Sequence, residues 1–394
     1  MFWVIIKYML QLMKKINNSC VENIILICLI GVLSASCASN VDPVPKAIGT
    51  QNYSQKLKIV WQDNQLQTSN ANSFVPAVDN KTIFTADSDG NVYRIDQTDG
   101  TIIQKWHFKR KFSSGTAVSE GHIFVTTLDG YLLSIDRGSG KITWQAQLPT
   151  IAIEAPQAGN GTVVVKTNDS QVLAYNTSNG NLLWIYQKQT PPLTLRTYNS
   201  FQLIAPDVVI VGEPGGRLVL LNLISGMAIW ENYIAIPTGA TDLDKLTDVS
   251  TRPVINNKEI CAVTYNGKLA CLDAISSNII WSKTFSTSYG ILLDDNNVYA
   301  ASLDATIYAF DKNSGELVWT NNEFQYRKIS SLVFLNGNIL IIDNNGNMFL
   351  LDHSSGKIIA QNNSNLEGGV AYPYSDGSHV IYQSSSGVIA EIAQ

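Results

Sequence analysis

"VTTLDGYLLSIDRGSGKITWQAQL", residues 125–148, is the stretch whose reading decides the fold. Three runs of alternating apolar and polar residues are cut by two turns, one at Asp129-Gly130 and one at Asp136–Gly140. Alternation of this kind marks strands with one face against a core, and Asp, Ser and Gly clusters mark the turns between them. The third run carries Trp144, eight residues after Asp136. The same grammar returns from Val165, Val263, Ala300 and Ile341, and Phe84 and Val211 open two further copies.

Aligning the copies brings Trp61, Trp106, Trp144, Trp184, Trp230, Trp281 and Trp319 into register, with Ala360 in the same place in the last one. The intervals are 45, 38, 40, 46, 51, 38 and 41 residues. A period of roughly 40–45 residues holding four short strands is the signature of a propeller blade. About 34 residues follow Ala360, enough for three strands, and a lone strand bearing Trp61 (Leu57–Gln62) precedes the first full copy. Pairing the two ends removes two free sheet edges. The expectation is therefore all-β: an eight-bladed propeller of four-stranded antiparallel blades over residues 57–394, closed by the N-terminal strand joining the C-terminal blade. The tryptophans are read as wedges between neighbouring sheets. The aspartates of the Asp-x-x-Ser-Gly turns are read as serving those turns, so one carboxylate per blade makes no catalytic pair.

The bulk composition agrees. The chain has 394 residues, 45% hydrophobic and only 15% charged, with a net charge of −5. That balance offers no basic field for nucleic acid or an anionic membrane surface. The start is different: Lys14-Lys15 precede the apolar run Ile24–Leu33, then small residues and Cys37. The run is too short to span a bilayer and fits a secretory signal over residues 1–36, with Met13 an alternative start. "LSASC" (Leu33–Cys37) resembles a bacterial lipobox, which implies acylation of Cys37. Residues 37–56 then read as a polar, proline-containing tether. Beyond Cys37 only Cys261 and Cys271 remain, on either side of Asn266-Gly267. A three-residue bulged turn would set them opposite each other for a bridge; a two-residue turn would not. Two unpaired core thiols is the reading taken.

The longest intervals, 46 and 51, are consecutive. Their extra residues fall between the outer strand of one blade and the inner strand of the next: "PPLTLRTYN" (Pro191–Asn199) and "IPTGATDLDKLTDVS" (Ile236–Ser250). Connectors of this kind emerge on one face of the ring, so the two are expected to meet. Leu193 and Leu195 would supply an apolar anchor, Arg196 a planar fork, and Asp242, Asp244 and Asp248 an acidic border, which together describe a protein interface. The competing reading tucks both leucines under the loop and pairs Arg196 with Asp248.

The lipobox, the tryptophan-bearing blades, "LTLR" and "GATDLDKLTDVSTRPV" together resemble the BamB family, lipoproteins of the β-barrel assembly machinery in the Gram-negative outer membrane. The resemblance runs from Cys37 to the end. It implies a scaffold without catalytic activity or cofactor, lipid-anchored on the periplasmic face of the outer membrane. Its implied partners are the periplasmic domains of BamA and, more loosely, unfolded barrel clients. Residue by residue it implies partner contact by Leu193, Leu195, Arg196 and Asp248; the second aspartate of the family pattern is Ser250 here. The alternatives are a periplasmic quinoprotein-like dehydrogenase or a generic ligand-binding propeller. Against the first stand the lack of an adjacent cysteine pair and four scattered histidines, His107, His122, His353 and His379.

Overall fold

The repeat quoted above folds as Ala117–Ser119, His122–Thr126, Tyr131–Asp136 and Ile142–Gln147, hydrogen-bonded in that order as one antiparallel sheet. Turn chemistry fixes it. Glu120-Gly121 and Gly140 take positive φ, and the Asp136 carboxylate accepts the backbone N–H and the hydroxyl of Ser139 at 2.7 and 2.6 Å. The computed structural model describes residues 43–394 apart from 50, 52, 68–73, 205–206, 257, 364–365 and 367–371. Among the described residues there are eight such sheets of four strands, and they stand as the blades of an eight-bladed β-propeller. Pro45–Gln394 make up one unit.

The last blade is composite, as the ends of the sequence predict. Lys58–Asp63 pairs antiparallel with Ile389–Ala393, which continues to Val380–Gln383 and Tyr374–Ser375. The seam buries its own apolar residues, with Leu57 4% exposed and Ile389 and Ile392 wholly enclosed.

The two middle strands of each blade are buried on both faces because neighbouring sheets cover them, whereas the outer strand alternates, as in Ile102–His107. Each core cluster therefore spans two blades: Val164, Val172 and Trp184 of one pack with Phe201, Val209 and Val219 of the next. Burial of these wedges is the main term holding the ring together.

The tryptophans set the joint. Six of the seven aligned indole N–H groups donate to the carbonyl that follows the Asp or Asn of the next blade: Trp61 to Gln97, Trp144 to Thr177, Trp184 to Leu223, Trp230 to Ala274, Trp281 to Lys312 and Trp319 to His353, at 2.6–3.0 Å. The turn glycine lies flat on the same ring. A Cβ on Gly140 would fall 2.1 Å from Trp106 and one on Gly180 2.6 Å from Trp144, so the glycine is required by close approach as well as by its positive φ. In the fifth blade that position is Ser277, at φ 59°.

One expectation is corrected here. Cys261 and Cys271 are joined in a disulfide, not left as free thiols. The strands Glu259–Val263 and Gly267–Asp273 are linked by three residues, so Cys261 faces Cys271 directly in the register. The expected signal peptide and Cys37 lie outside the described residues. Part of the expected tether rests on the ring: the Lys46 carbonyl accepts Arg327 Nη2 at 2.7 Å, and Ile48 packs on the core between the sixth and seventh blades.

Candidate functional site: two connectors on one face

The third blade ends at Leu182–Tyr186 and the fourth starts at Phe201–Ile204. Between them Pro191-Pro192 keeps the chain out of the sheets, since neither residue has an N–H to give to a strand ladder. The fourth blade ends at Ala228–Tyr233, and the fifth starts at Val254–Ile255. The chain between runs outward through an exposed stretch, 238–245, and returns buried at Leu246–Val249. Thr241 and Asp244 close the exposed part reciprocally: each backbone N–H donates to the other's side chain at 3.1 Å. The Thr241 hydroxyl and backbone N–H, both facing the Asp244 carboxylate, hold that carboxyl below the usual carboxylate range.

The two connectors meet, as expected. Asp248 is 1% exposed. Its carboxylate accepts the backbone N–H of Leu195 at 2.6 Å and that of Gly215 at 2.8 Å. Its carbonyl accepts the N–H of Tyr265 at 2.9 Å. One residue thus fastens the first connector to the middle hairpin turns of the fourth and fifth blades. Burial pushes its carboxyl up, and the two N–H donors pull it back down.

This differs from the pairing of Arg196 with Asp248 entertained from the sequence. The carboxylate is spent on backbone, and Arg196 stays exposed with no ion pair among the described residues. Leu193 is 42% exposed and Leu195 half-buried. Leu193 and Arg196 therefore face solvent, Leu195 does so in part, and Asp248 lies beneath them. The hydroxyl of Ser250 is buried without a hydrogen-bond partner among the described residues.

Sequence reasoning passed over other members of the surface. Ile236 is 73% and Leu243 67% exposed on the second connector. Pro191 and Pro237 lie on either side of the turn at Gly215, where a Cβ would be 3.3 and 3.9 Å from them. The signal was present, since apolar residues inside an otherwise polar insertion have no core of their own to fill.

A buried polar layer supports the loop. Glu154, 3% exposed, accepts the Thr197 hydroxyl and the Ser200 backbone N–H at 2.5 Å each. Lys166, 4% exposed, donates to the Ser200 hydroxyl at 2.5 Å and the Gly212 carbonyl at 2.7 Å, and lies 3.7 Å from Glu154. Glu213 and Arg217 are buried together at 3.6 Å, and burial drives the Glu213 carboxyl upward against the pull of Lys166 and Arg217. Paired buried charges of this kind fix a geometry more than they add stability.

The histidines do not assemble. His107 bonds Asn91 at 3.0 Å, His122 bonds Ser134 at 3.0 Å, and His379 sits by Asp376, each on a different blade. Among the described residues no group of three or more His, Cys, Asp or Glu could hold a metal ion, and no helix is long and apolar enough to cross a membrane.

Comparison with known proteins follows the same lines. A family profile described as outer membrane protein assembly factor BamB matches residues 88–321. The protein of that name from Legionella pneumophila (strain Paris) is 36% identical over 355 residues, covering 89% of this chain and 92% of its own. The crystal structure of BamB from Moraxella catarrhalis superposes with a TM-score of 0.78 at 20% identity, over 86% of this chain and all of that one. Quinohemoprotein alcohol dehydrogenase from Comamonas testosteroni superposes at 0.69 with 14% identity, over 86% of this chain and 76% of the enzyme, a likeness of fold alone.

Proposed function

The chain belongs to the BamB family of outer membrane protein assembly factors, and from that premise we propose that it acts as a non-enzymatic docking ring of the β-barrel assembly machinery. The surface built on Leu193 and Arg196 takes a periplasmic domain of BamA. The observation that carries this reading is the division of labour between the connectors: Leu193 and Arg196 are exposed, while Asp248 is buried under them and holds the loop by its backbone. An exposed apolar anchor beside a guanidinium without an ion pair among the described residues, on a loop already fastened by its backbone, loses little entropy on binding. Leu195, half-buried, adds its outer edge to the same contact. Asp248 serves as a positioning residue. Cys37 carries the lipid that keeps the ring at the periplasmic face of the outer membrane, and unfolded barrel clients are handled by the assembled machinery.

Pull-down from detergent-solubilised envelope tests the reading. The wild-type chain should co-elute with BamA, and the double variant Leu193→Ala, Arg196→Ala should not. Unchanged recovery of BamA by a folded double variant would remove this surface from the interface.

A further inference from the structure

The inner strands of the blades enclose a central channel of about 610 Å³. Its wall is made of uncharged polar side chains, tyrosines among them, and half-buried apolar ones such as Val78, Ile255 and Leu293, with one charged residue. Arg252 is the single charged residue on that wall among the described residues. It stands two residues before the inner strand of the fifth blade, Val254–Ile255, and so at the channel mouth on the face of the two connectors. Its Nε donates to Asn199 Oδ1 at 3.0 Å, which orients the guanidinium and leaves its terminal N–H groups without a protein acceptor among the described residues.

Neutralising carboxylates are committed elsewhere. Glu154, whose field reaches Arg252, is taken up by Thr197, Ser200 and Lys166. Tyr372 faces the same space beside Ser331, and burial pushes its phenol up to about 12, so at neutral pH it is an uncharged donor. Burial lowers Arg252 below the ordinary guanidinium value while Tyr372 and Glu154 draw it back up. A guanidinium remains charged through such a shift. The mouth therefore presents a cation in a partly enclosed recess that Tyr198 and Tyr372 also line, with no carboxylate on the wall among the described residues.

We propose that this channel is a binding site for a small organic acid, whose carboxylate pairs with Arg252 and whose apolar body lies along Val78, Ile255 and Leu293. A guanidinium matches a carboxylate with two parallel N–H···O bonds, and such charge-assisted bonds gain most where water is scarce. The volume lies within the range of small-molecule sites, which are mostly apolar with a few fixed polar groups. The site is separate from the docking surface, although Arg252 and Asn199 belong to the same two connectors.

The test uses the purified, detergent-solubilised protein and matched pairs of probes: indole-3-acetate with indole-3-acetamide, and 4-phenylbutyrate with its amide. Binding is measured by saturation-transfer NMR and calorimetry. At least one acid should bind saturably and about tenfold more tightly than its amide, the difference expected of one charge-assisted pair. In Arg252→Gln the difference should vanish, and in Arg252→Lys part of it should return. Acids and amides binding alike, no saturable binding of either acid at millimolar concentration, or full preference retained in Arg252→Gln would each overturn the proposal. Should Arg252→Gln fail to fold, the acid-to-amide contrast on the wild-type protein decides alone.

Discussion

The carboxylate of Asp248 accepts the backbone N–H of Leu195 at 2.6 Å across 53 residues of chain. Its second oxygen takes Gly215 at 2.8 Å. Asp248→Ala would leave both donors without an acceptor, at about 1–3 kcal/mol for each one that stays dry. We expect a lower unfolding midpoint together with weaker partner binding. A variant that loses binding at unchanged stability would instead make Asp248 a direct contact.

Leu193→Ala with Arg196→Ala should separate the two effects in the opposite sense. Both side chains are exposed, so stability should move by no more than about 0.5 kcal/mol. Binding should fall by about 1–4 kcal/mol for each residue that acts as an anchor. Ile236→Ser tests how far the surface extends, with a smaller loss of affinity expected. Thermal melts and surface-immobilised binding on one preparation read both quantities.

Ser277 holds a left-handed conformation, φ 59°, where other blades have glycine. Its carbonyl accepts Asn232 Nδ2 at 2.7 Å, a bond that glycine would keep. Ser277→Gly should raise stability by about 1 kcal/mol, the strain of a side chain in that region less the entropy that glycine adds to the unfolded chain. A fall in the denaturation midpoint would show that the serine side chain contributes more than its strain costs.

The blade turns predict an acid limit. Hydrogen bonds from Ser139, Ser276, Ser314 and Ser354 hold the carboxyls of Asp136, Asp273, Asp311 and Asp352 below their ordinary value. As pH falls the unfolded chain takes up those protons first. The stabilisation is therefore present above the ordinary carboxylate value of about 4 and is lost as pH drops through the depressed values. Glu213, Asp248 and Glu391, raised by burial, act in the other direction: their contribution is complete below the ordinary value and lost as pH climbs through the raised ones. Urea midpoints against pH should show a maximum, and Asp136→Asn with Asp273→Asn should flatten the acid limb. An acid limb unchanged in that double variant would assign the transition to other groups.

The Cys261–Cys271 disulfide closes a short loop, ten residues apart in sequence, inside a hairpin whose turn touches Asp248. Replacing both cysteines by serine should cost about 2–3 kcal/mol from the lost crosslink, with a further penalty for two buried hydroxyls. Both sulfurs are fully enclosed, so reduction of the folded protein should be slow until denaturant is added. Rapid reduction under native conditions would mean that this hairpin opens locally.

The ring was legible in the sequence because the blades repeat one local chemistry with few departures, such as Ala360 and Ser277. A run of alternating residues, an Asp or Asn at a turn, a glycine and a tryptophan eight residues on are all short-range signals, and repetition averages out the irregular ones. Closure was legible too, since a lone strand at one end and three at the other leave a single way to pair both edges. The bridge between Cys261 and Cys271 was not, because it turns on whether the hairpin link has two or three residues, and strand ends are the least certain part of any reading.

The sequence by itself determined the eightfold architecture and the place of both insertions on one face. Only the tertiary structure decided what each residue there does. Leu193, Arg196 and Asp248 look equally available in the sequence, yet one carboxylate is buried on backbone N–H groups while the leucine and the guanidinium face water. Hydrogen-bond partners in irregular connectors are chosen by which unpaired backbone donors the packed blades leave nearby, and those are set by residues far away in the chain.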